Sequence, residues 1–480
     1  MTGVKPGSDF LQLDVDAAPA GGMADWLAAE LRRAIADGRL TVGTRLPASR
    51  VLAADLGVSR GVVTDAYQRI VDDGHVRGRG RAGTVVVGVP ASPPASAPVR
   101  PAADVFAGPP GVESFDVLRE APARIDLSPG VPDLTAFPRA AWLRAERTVL
   151  TTLAPADFGY GDPRGTPALR AAVAGWLARN RGIGVDPGEV VVVAGVAQAL
   201  VLLAQVLRAG GITAIAVEEP GSLGARDHLR NWYQHTPAVP VDARGLDVDA
   251  LRATGAQAVM VTPAHQFPTG VVLDGPRRRE LIRWAEDGGV VIEDDYDAEH
   301  RYDRPPVPAL RAVLPDVCYC GSVSKTLAPA LRIGWLLVPA RYREAVVAAK
   351  RNADLGNAAL PQLVLAELMT SGALERHLRL IRRRHIRRRD AMTAAIAAHL
   401  PGARIHGAAA GLHLMVTLES DVDDTAWAAA CLARGVKVQP LSWHSQRRAA
   451  PGLVLGYAAS TPDDIETAVV EVAAALTGLS

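Results

Sequence analysis

The chain has 480 residues, 49% of them hydrophobic, and a formal net charge of +1 from 52 basic and 51 acidic side chains. Such a length exceeds what one core serves, so two or three domains are expected, and the near-zero charge excludes a protein that grips nucleic acid through its overall field. Cys318, Cys320 and Cys431 are too few and wrongly spaced for a disulfide framework or a zinc site, so no metal centre is expected, and no apolar run is long enough for a bilayer. With no signal-peptide pattern at the N-terminus, a soluble cytoplasmic protein is expected.

Residues 1–20 lack periodic apolar spacing and read as an arm. A helix over 23–37 follows from Trp26, Leu27, Leu31 and Ile35, and Gly38 ends it. A second helix after Ser49 carries Val51, Leu52 and Leu56, Gly57-Val58 makes a short turn, and Ser59 caps a third helix through Val62, Val63, Ala66, Tyr67 and Ile70. Residues 75–87 place Arg77, Arg79 and Arg81 between Gly78, Gly80 and Gly83 before a Val-rich strand, which reads as a two-stranded wing with a positive tip. Residues 21–88 thus form a winged helix-turn-helix, mostly α. In that motif the second helix enters the major groove by its N-terminal end. Ser59, Arg60 and Thr64 occupy that end, Arg50 opens the preceding helix where it can clamp a phosphate, and Arg79 and Arg81 can enter the minor groove. Double-stranded operator DNA is the partner this set implies.

Proline, alanine and glycine dominate residues 89–123, as in Pro90-Ala91-Ser92-Pro93-Pro94 and Gly108-Pro109-Pro110-Gly111, and predict a flexible, partly extended linker. From residue 124 to 480 apolar runs alternate with helical periods: 190–193, 214–217, 258–261, 290–292, 317–320 and 333–338. This alternation predicts a largely parallel, doubly wound sheet in a large domain over about 155–345. Long helices and strands at 412–418, 436–441 and 453–457 predict a smaller C-terminal α/β domain over about 346–480.

Within the body, Gly321-Ser322-Val323-Ser324-Lys325-Thr326-Leu327 sets a lysine beside hydroxyls at a strand exit, where a desolvated amine with a lowered pKa can form an imine. Arg332, seven positions on, can hold a phosphate nearby. Glu293-Asp294-Asp295-Tyr296 closes the 290–292 run at a carboxyl strand end, where open α/β sheets place ligands. One of these aspartates can face a pyridine nitrogen and Tyr296 a ring hydroxyl. The turn Val193-Ala194-Gly195-Val196-Ala197-Gln198 aims backbone amides at an anion through a helix N-terminus. Together these are the parts of a pyridoxal 5′-phosphate site.

These segments, with Tyr160-Gly161-Asp162-Pro163-Arg164-Gly165, Glu219-Pro220-Gly221, Thr262-Pro263-Ala264-His265-Gln266-Phe267-Pro268-Thr269-Gly270 and Ser324-Lys325-Thr326-Leu327-Ala328-Pro329, resemble the MocR-type transcriptional regulators of the GntR superfamily. The resemblance spans nearly the whole chain, from about residue 26 to 456. It implies a winged helix-turn-helix fused to a fold-type I, PLP-dependent aminotransferase-like body. It also implies that Lys325 is the aldimine lysine, Asp294 the pyridine partner and Tyr296 the ring-hydroxyl donor. Ser322, Ser324 and Arg332 would be phosphate ligands, with backbone amides of Val196 and Ala197. A head-to-tail, domain-swapped homodimer is implied as well.

Departures from the family pattern bear on function. Ser222 stands where members carry a tyrosine near the cofactor ring, and Phe267 stands where working aminotransferases carry an asparagine, for which His265 or Gln266 could substitute. The segment Leu453-Val454-Leu455-Gly456-Tyr457 lacks the arginine that holds a substrate carboxylate, unless Arg226 reaches in. The expectation is a regulator with weak or no transaminase activity whose effector is pyridoxal phosphate itself or an amino compound held as an external aldimine. An active aminotransferase with an autoregulatory head is the rival reading. The basic run over 376–389 reads first as a solvated helix face.

Overall fold

The computed structural model describes residues 10–19, 21–78, 83–87, 105–303 and 307–479. The chain divides into two compact units, Met1–Val99 and Arg100–Ser480.

In the first unit three helices, Met23–Ala36, Ser49–Leu56 and Arg60–Asp72, enclose a core of Leu27, Leu31, Ile35, Leu52, Leu56, Val63 and Ile70. The turn between the second and third helices needs Gly57, whose φ of 67° is left-handed, and Ser59 then caps the third helix by accepting from the Val62 amide. A hairpin of β1 (Val76–Gly78) and β2 (Thr84–Val86) pairs Val76 with Val86 and completes a winged helix-turn-helix. The expected positions Arg79 and Arg81 lie outside the described residues.

The second unit is built on an eight-stranded sheet. Its strands are β4 (Val191–Val193), β5 (Ile215–Glu219), β6 (Ala238–Asp242), β7 (Gly245–Leu246), β8 (Ala258–Val261), β9 (Val290–Asp294), β10 (Cys318–Ser322) and β11 (Gly334–Leu337), in the order β4-β11-β10-β9-β8-β5-β6-β7. The pairs from β10 through β9, β8 and β5 to β6 are parallel, while β11 runs antiparallel to both its neighbours. Helices bury both faces, as near-continuous apolar strands require; Val196–Ala209 covers one side and Pro167–Arg181 the other.

A smaller antiparallel sheet, β12 (Arg404–His406), β13 (His413–Thr417), β16 (Gly452–Gly456) and β15 (Gln439–Pro440), packs with the helices Ala373–His399 and Pro462–Thr477. Two expectations need correction here. The segment 89–123 is not linker throughout. Val105 and Phe106 are buried, Val112–Glu120 is a helix, and Leu118 is 1% exposed in the small-domain core. Its apolar residues were hidden among prolines and glycines that serve as turn and cap. Next, β3 (Ile125–Asp126) pairs in parallel with β14 (Val436–Lys437), so this N-terminal stretch belongs to the small domain. The helix Ala359–Thr370, by contrast, buries Leu365, Ala366 and Met369 in the cluster that holds Val192, Trp335 and Leu337 of the large sheet, and Leu374 at the start of the next helix joins them. The boundary therefore falls within the long helix Ala373–His399 rather than near residue 346.

Candidate functional site

The carboxyl ends of β4, β9 and β10 converge on a cavity of about 420 Å³. Seven of the eight residues expected there line it: Val196, Ala197, Asp294, Tyr296, Ser322, Ser324 and Lys325. The eighth, Arg332, is outside the lining, and its guanidinium lies over the Ala194-Gly195 turn with Nη2 donating to the Ala194 carbonyl. A Cβ on Gly195, whose φ is +81°, would stand 3.2 Å from that guanidinium, so the glycine permits both the turn and the close approach.

Lys325 donates to the Gly130 carbonyl at 2.6 Å. Burial pushes its ammonium pKa down, against the pull of Asp294 and Asp297. Gly130 has φ +79°, and a Cβ there would meet Nζ at 2.9 Å. Asp294 ends β9 with a buried Oδ1 that has no hydrogen-bond partner. Burial, then Asp295 and Asp297, raise its carboxyl to about 7. Its neighbours in sequence do other work. Glu293 accepts from the Leu310 and Arg311 amides, and Asp295 is a buried ion-pair partner of Arg181 at 2.6 Å.

The Tyr296 hydroxyl lies 3.1 Å from His265 Nδ1, which is also 2.8 Å from Asp297 Oδ2. Gln266 spends its amide nitrogen on the carbonyls of Pro220 and Phe267, at 2.8 and 2.6 Å, and does not reach the cavity. Phe267 lines it instead, beside His413 and His444, which burial holds as neutral rings with pKa values of about 3.

At the other end of the cavity the helix Val196–Ala209 begins. The N–H groups of its first turn have no intrahelical acceptor, and Val196 and Ala197 turn that end toward the cavity. A network not evident in the sequence secures this turn. The Ala194 amide donates to Gln198 Oε1 at 2.7 Å; the fully buried Lys350 donates to Gln198, Asp354 and Asn357. Ser322 Oγ accepts from the Ser324 amide at 3.3 Å, presenting both serines on the exit of β10. An amine with a depressed pKa, an unpartnered acid, a phenol and a helix N-terminus flanked by hydroxyls suit a phosphorylated pyridine aldehyde. The orphaned Asp294 oxygen is the observation that tests the fit, since a ring N–H supplies the donor it lacks.

In the first unit, Arg50, Ser59, Arg60 and Thr64 are all exposed. Ser59 is occupied as the helix cap and the Thr64 hydroxyl donates to the Arg60 carbonyl at 2.9 Å, so the two arginines carry the outward chemistry of this end. Arg77 on β1 is exposed as well, as is Arg45, which sequence reading passed over and which bridges to Val85 of β2.

Comparison with known proteins gives a matching division. Residues 24–86 match the family "Bacterial regulatory proteins, gntR family", and residues 123–472 match "Aminotransferase class I and II". The chain is 32% identical over 447 residues to the probable rhizopine catabolism regulatory protein MocR of Rhizobium meliloti, covering 90% of this chain and 89% of that one. It is 32% identical to the HTH-type pyridoxine biosynthesis transcriptional regulator PdxR of Corynebacterium glutamicum, covering 94% and 95%. Among solved structures, the α-aminoadipate aminotransferase LysN of Thermus thermophilus, complexed with N-(5′-phosphopyridoxyl)-L-leucine, superposes with a TM-score of 0.69 at 26% identity. That match covers 79% of this chain and 97% of the other.

Proposed function

This chain belongs to the MocR-type transcriptional regulators, which join a GntR-family head to an aminotransferase class I and II body, and on that premise we propose that its body binds pyridoxal 5′-phosphate to control operator binding by its head. The observation that carries this reading is the convergence of Lys325 and the unpartnered Asp294 on one cavity. When bound, the cofactor supplies an aldehyde that captures amines. The chain's own residues divide the remaining work. Lys325, its amine made easier to deprotonate by burial, is the covalent attachment point; Asp294 faces the ring nitrogen and holds the proton there; and Tyr296, oriented by His265 and Asp297, donates to the ring hydroxyl. Ser322, Ser324 and the amides of Val196 and Ala197 receive the phosphate, with Arg332 adding positive charge behind the Ala194-Gly195 turn.

The head binds double-stranded operator DNA, Arg60 at the start of the recognition helix and Arg50 on the flanking backbone. We place the protein in the cytoplasm as a head-to-tail homodimer, so that two heads read two half-sites; among the described residues no helix is long and apolar enough to cross a membrane. The signal is pyridoxal phosphate itself or an amino compound joined to it. A ligand shifts the equilibrium only by binding one arrangement more tightly than the other.

Footprinting upstream of its own gene, with and without pyridoxal phosphate, tests the reading. Wild type is expected to change its footprint with cofactor and Lys325→Ala to ignore it. Identical footprints for both proteins under both conditions refute cofactor control.

A further inference from the structure

The basic run over 376–389 is solvated on one side only. Arg376, Arg379, Arg383 and Arg387 of the helix Ala373–His399 are exposed, whereas His377, Arg384, His385 and Arg388, at i, i+7, i+8 and i+11, share the side turned toward the body. None of these four lines the 420 Å³ cavity. Their contacts nevertheless end on the segments of chain that carry and receive Lys325.

His377 Nε2 lies 2.8 Å from the Thr326 carbonyl, and burial lowers the imidazole's pKa, so a neutral ring donates its N–H to the residue after Lys325. The buried His385 packs edge-on against His300 with ring centroids 5.0 Å apart, and His300 is hydrogen-bonded to the Lys325 backbone itself. Burial brings these two rings to about 2 and about 4, so they meet as neutral groups. Arg384 and Arg388 both reach Asp133 Oδ2, at 3.1 and 2.9 Å, while the Thr135 hydroxyl donates to Oδ1 at 2.5 Å. Burial raises the Asp133 carboxyl, but Thr135 and the two guanidinium groups hold it below its usual range. A carboxylate 5% exposed cannot leave two cations without stranding them, so the loop it belongs to is fixed to the helix. Three residues earlier in that loop stands Gly130, whose carbonyl accepts the Lys325 amine at 2.6 Å.

We propose that the inward side of this helix is a frame that aims the Lys325 amine, with Asp133 and His377 as its positioning residues, one holding the loop that receives Nζ and the other the backbone that carries it. The proposal rests on the cofactor reading above and deepens it. Attachment replaces the aldehyde C=O by C=N: the neutral lysine amine adds to the carbonyl carbon, its two hydrogens leave with the aldehyde oxygen as water, and nothing is oxidised or reduced. Such a step depends on where the amine stands, because the reacting atoms must come within about 3–3.5 Å in the right direction. The seat of the ring and phosphate depends, in the same reading, on Asp294 at the end of β9 and on the start of the helix Val196–Ala209, which other elements hold.

Full-length protein is titrated with pyridoxal 5′-phosphate, followed by visible absorption, and with 4′-deoxypyridoxine 5′-phosphate, which has a methyl group in place of the aldehyde, followed by calorimetry. His377→Phe is expected to weaken binding of the aldehyde about three- to tenfold and Asp133→Asn about tenfold or more, as loss of a neutral and of a charged hydrogen bond implies, with the methyl ligand unchanged within about twofold. His377→Gln, whose amide can donate to the same carbonyl, is expected to restore most of the loss. His377→Phe decides the matter if Asp133→Asn does not fold. Equal losses on both ligands make the helix face merely structural and overturn the proposal, as does undiminished binding of pyridoxal phosphate by both variants. A wild type that takes up neither ligand overturns the cofactor reading and this proposal with it.

Discussion

Asp294 is a carboxyl held against its preference. Burial comes first, with Asp295 and Asp297 behind it, in lifting the group from 3.8 to about 7, and Lys325 opposes them. The folded chain therefore keeps a proton that the unfolded chain releases above pH ~4, so this group's contribution is present at low pH and is lost as pH rises toward ~7. Cofactor-free wild type is expected to melt progressively lower relative to Asp294→Asn across that window, and differential scanning fluorimetry at stepped pH reads it. A parallel pH trend for the two proteins assigns the burden elsewhere. With cofactor present the order reverses. A carboxylate against a cationic ring nitrogen is a charge-assisted contact, so Asp294→Asn is expected to weaken pyridoxal phosphate binding by about ten- to a hundredfold in an absorbance titration. The residue types of this site were legible because each has a distinct chemistry: a lysine at a strand exit, an acid at the next strand's end. Gly130 and Lys350 were not, because their roles exist only through contacts across 195 and 152 residues of chain.

At the scale of elements, the recognition helix separates two kinds of residue that share one end. Ser59 faces inward in function, since its hydroxyl holds the Val62 amide, whereas Arg60 is exposed on the next position. Ser59→Ala is expected to destabilise the head by about 1 kcal/mol through the lost cap. Arg60→Ala is expected to leave the melting temperature unchanged and to cost about 1–3 kcal/mol of operator affinity if the side chain reads a base. Fluorescence anisotropy with operator and with unrelated DNA distinguishes the readings, because equal loss on both assigns Arg60 to phosphates. Period and punctuation revealed most of the strands, with bounds within a residue or two for β8, β13 and β16. They missed β6, where Pro237 and Pro240 interrupt the apolar pattern, and they fused β14 with β15. Those two short strands pair in different sheets, a choice made by partners distant in sequence. The helix Val112–Glu120 was missed for a related reason. Phe115 and Leu118 find their core only when Trp443 arrives, 5.8 Å from the Phe115 ring.

The whole molecule carries two kinds of core that share no residue. Leu27, Leu31, Leu52 and Ile70 belong to the head, while the clusters around β9, β10 and β16 belong to the body. Units with separate cores are expected to unfold as separate cooperative transitions. Calorimetry of the full chain is therefore expected to show two endotherms, the smaller from the head. In the proposed assignment pyridoxal phosphate would bind groups that all lie between Val196 and Arg332, so it would stabilise the native body by mass action and leave the head's transition where it was. At a hundred times its Kd the ligand adds about 2.7 kcal/mol to the body, enough to move the larger endotherm visibly. Raising the head's endotherm with cofactor, in the absence of DNA, would show that the ligand's effect reaches the head. Raising neither would remove pyridoxal phosphate from the account. Regulation in this scheme needs no stabilised head; it needs a body whose two arrangements bind cofactor unequally, and the calorimetric shift measures the binding half of that requirement directly.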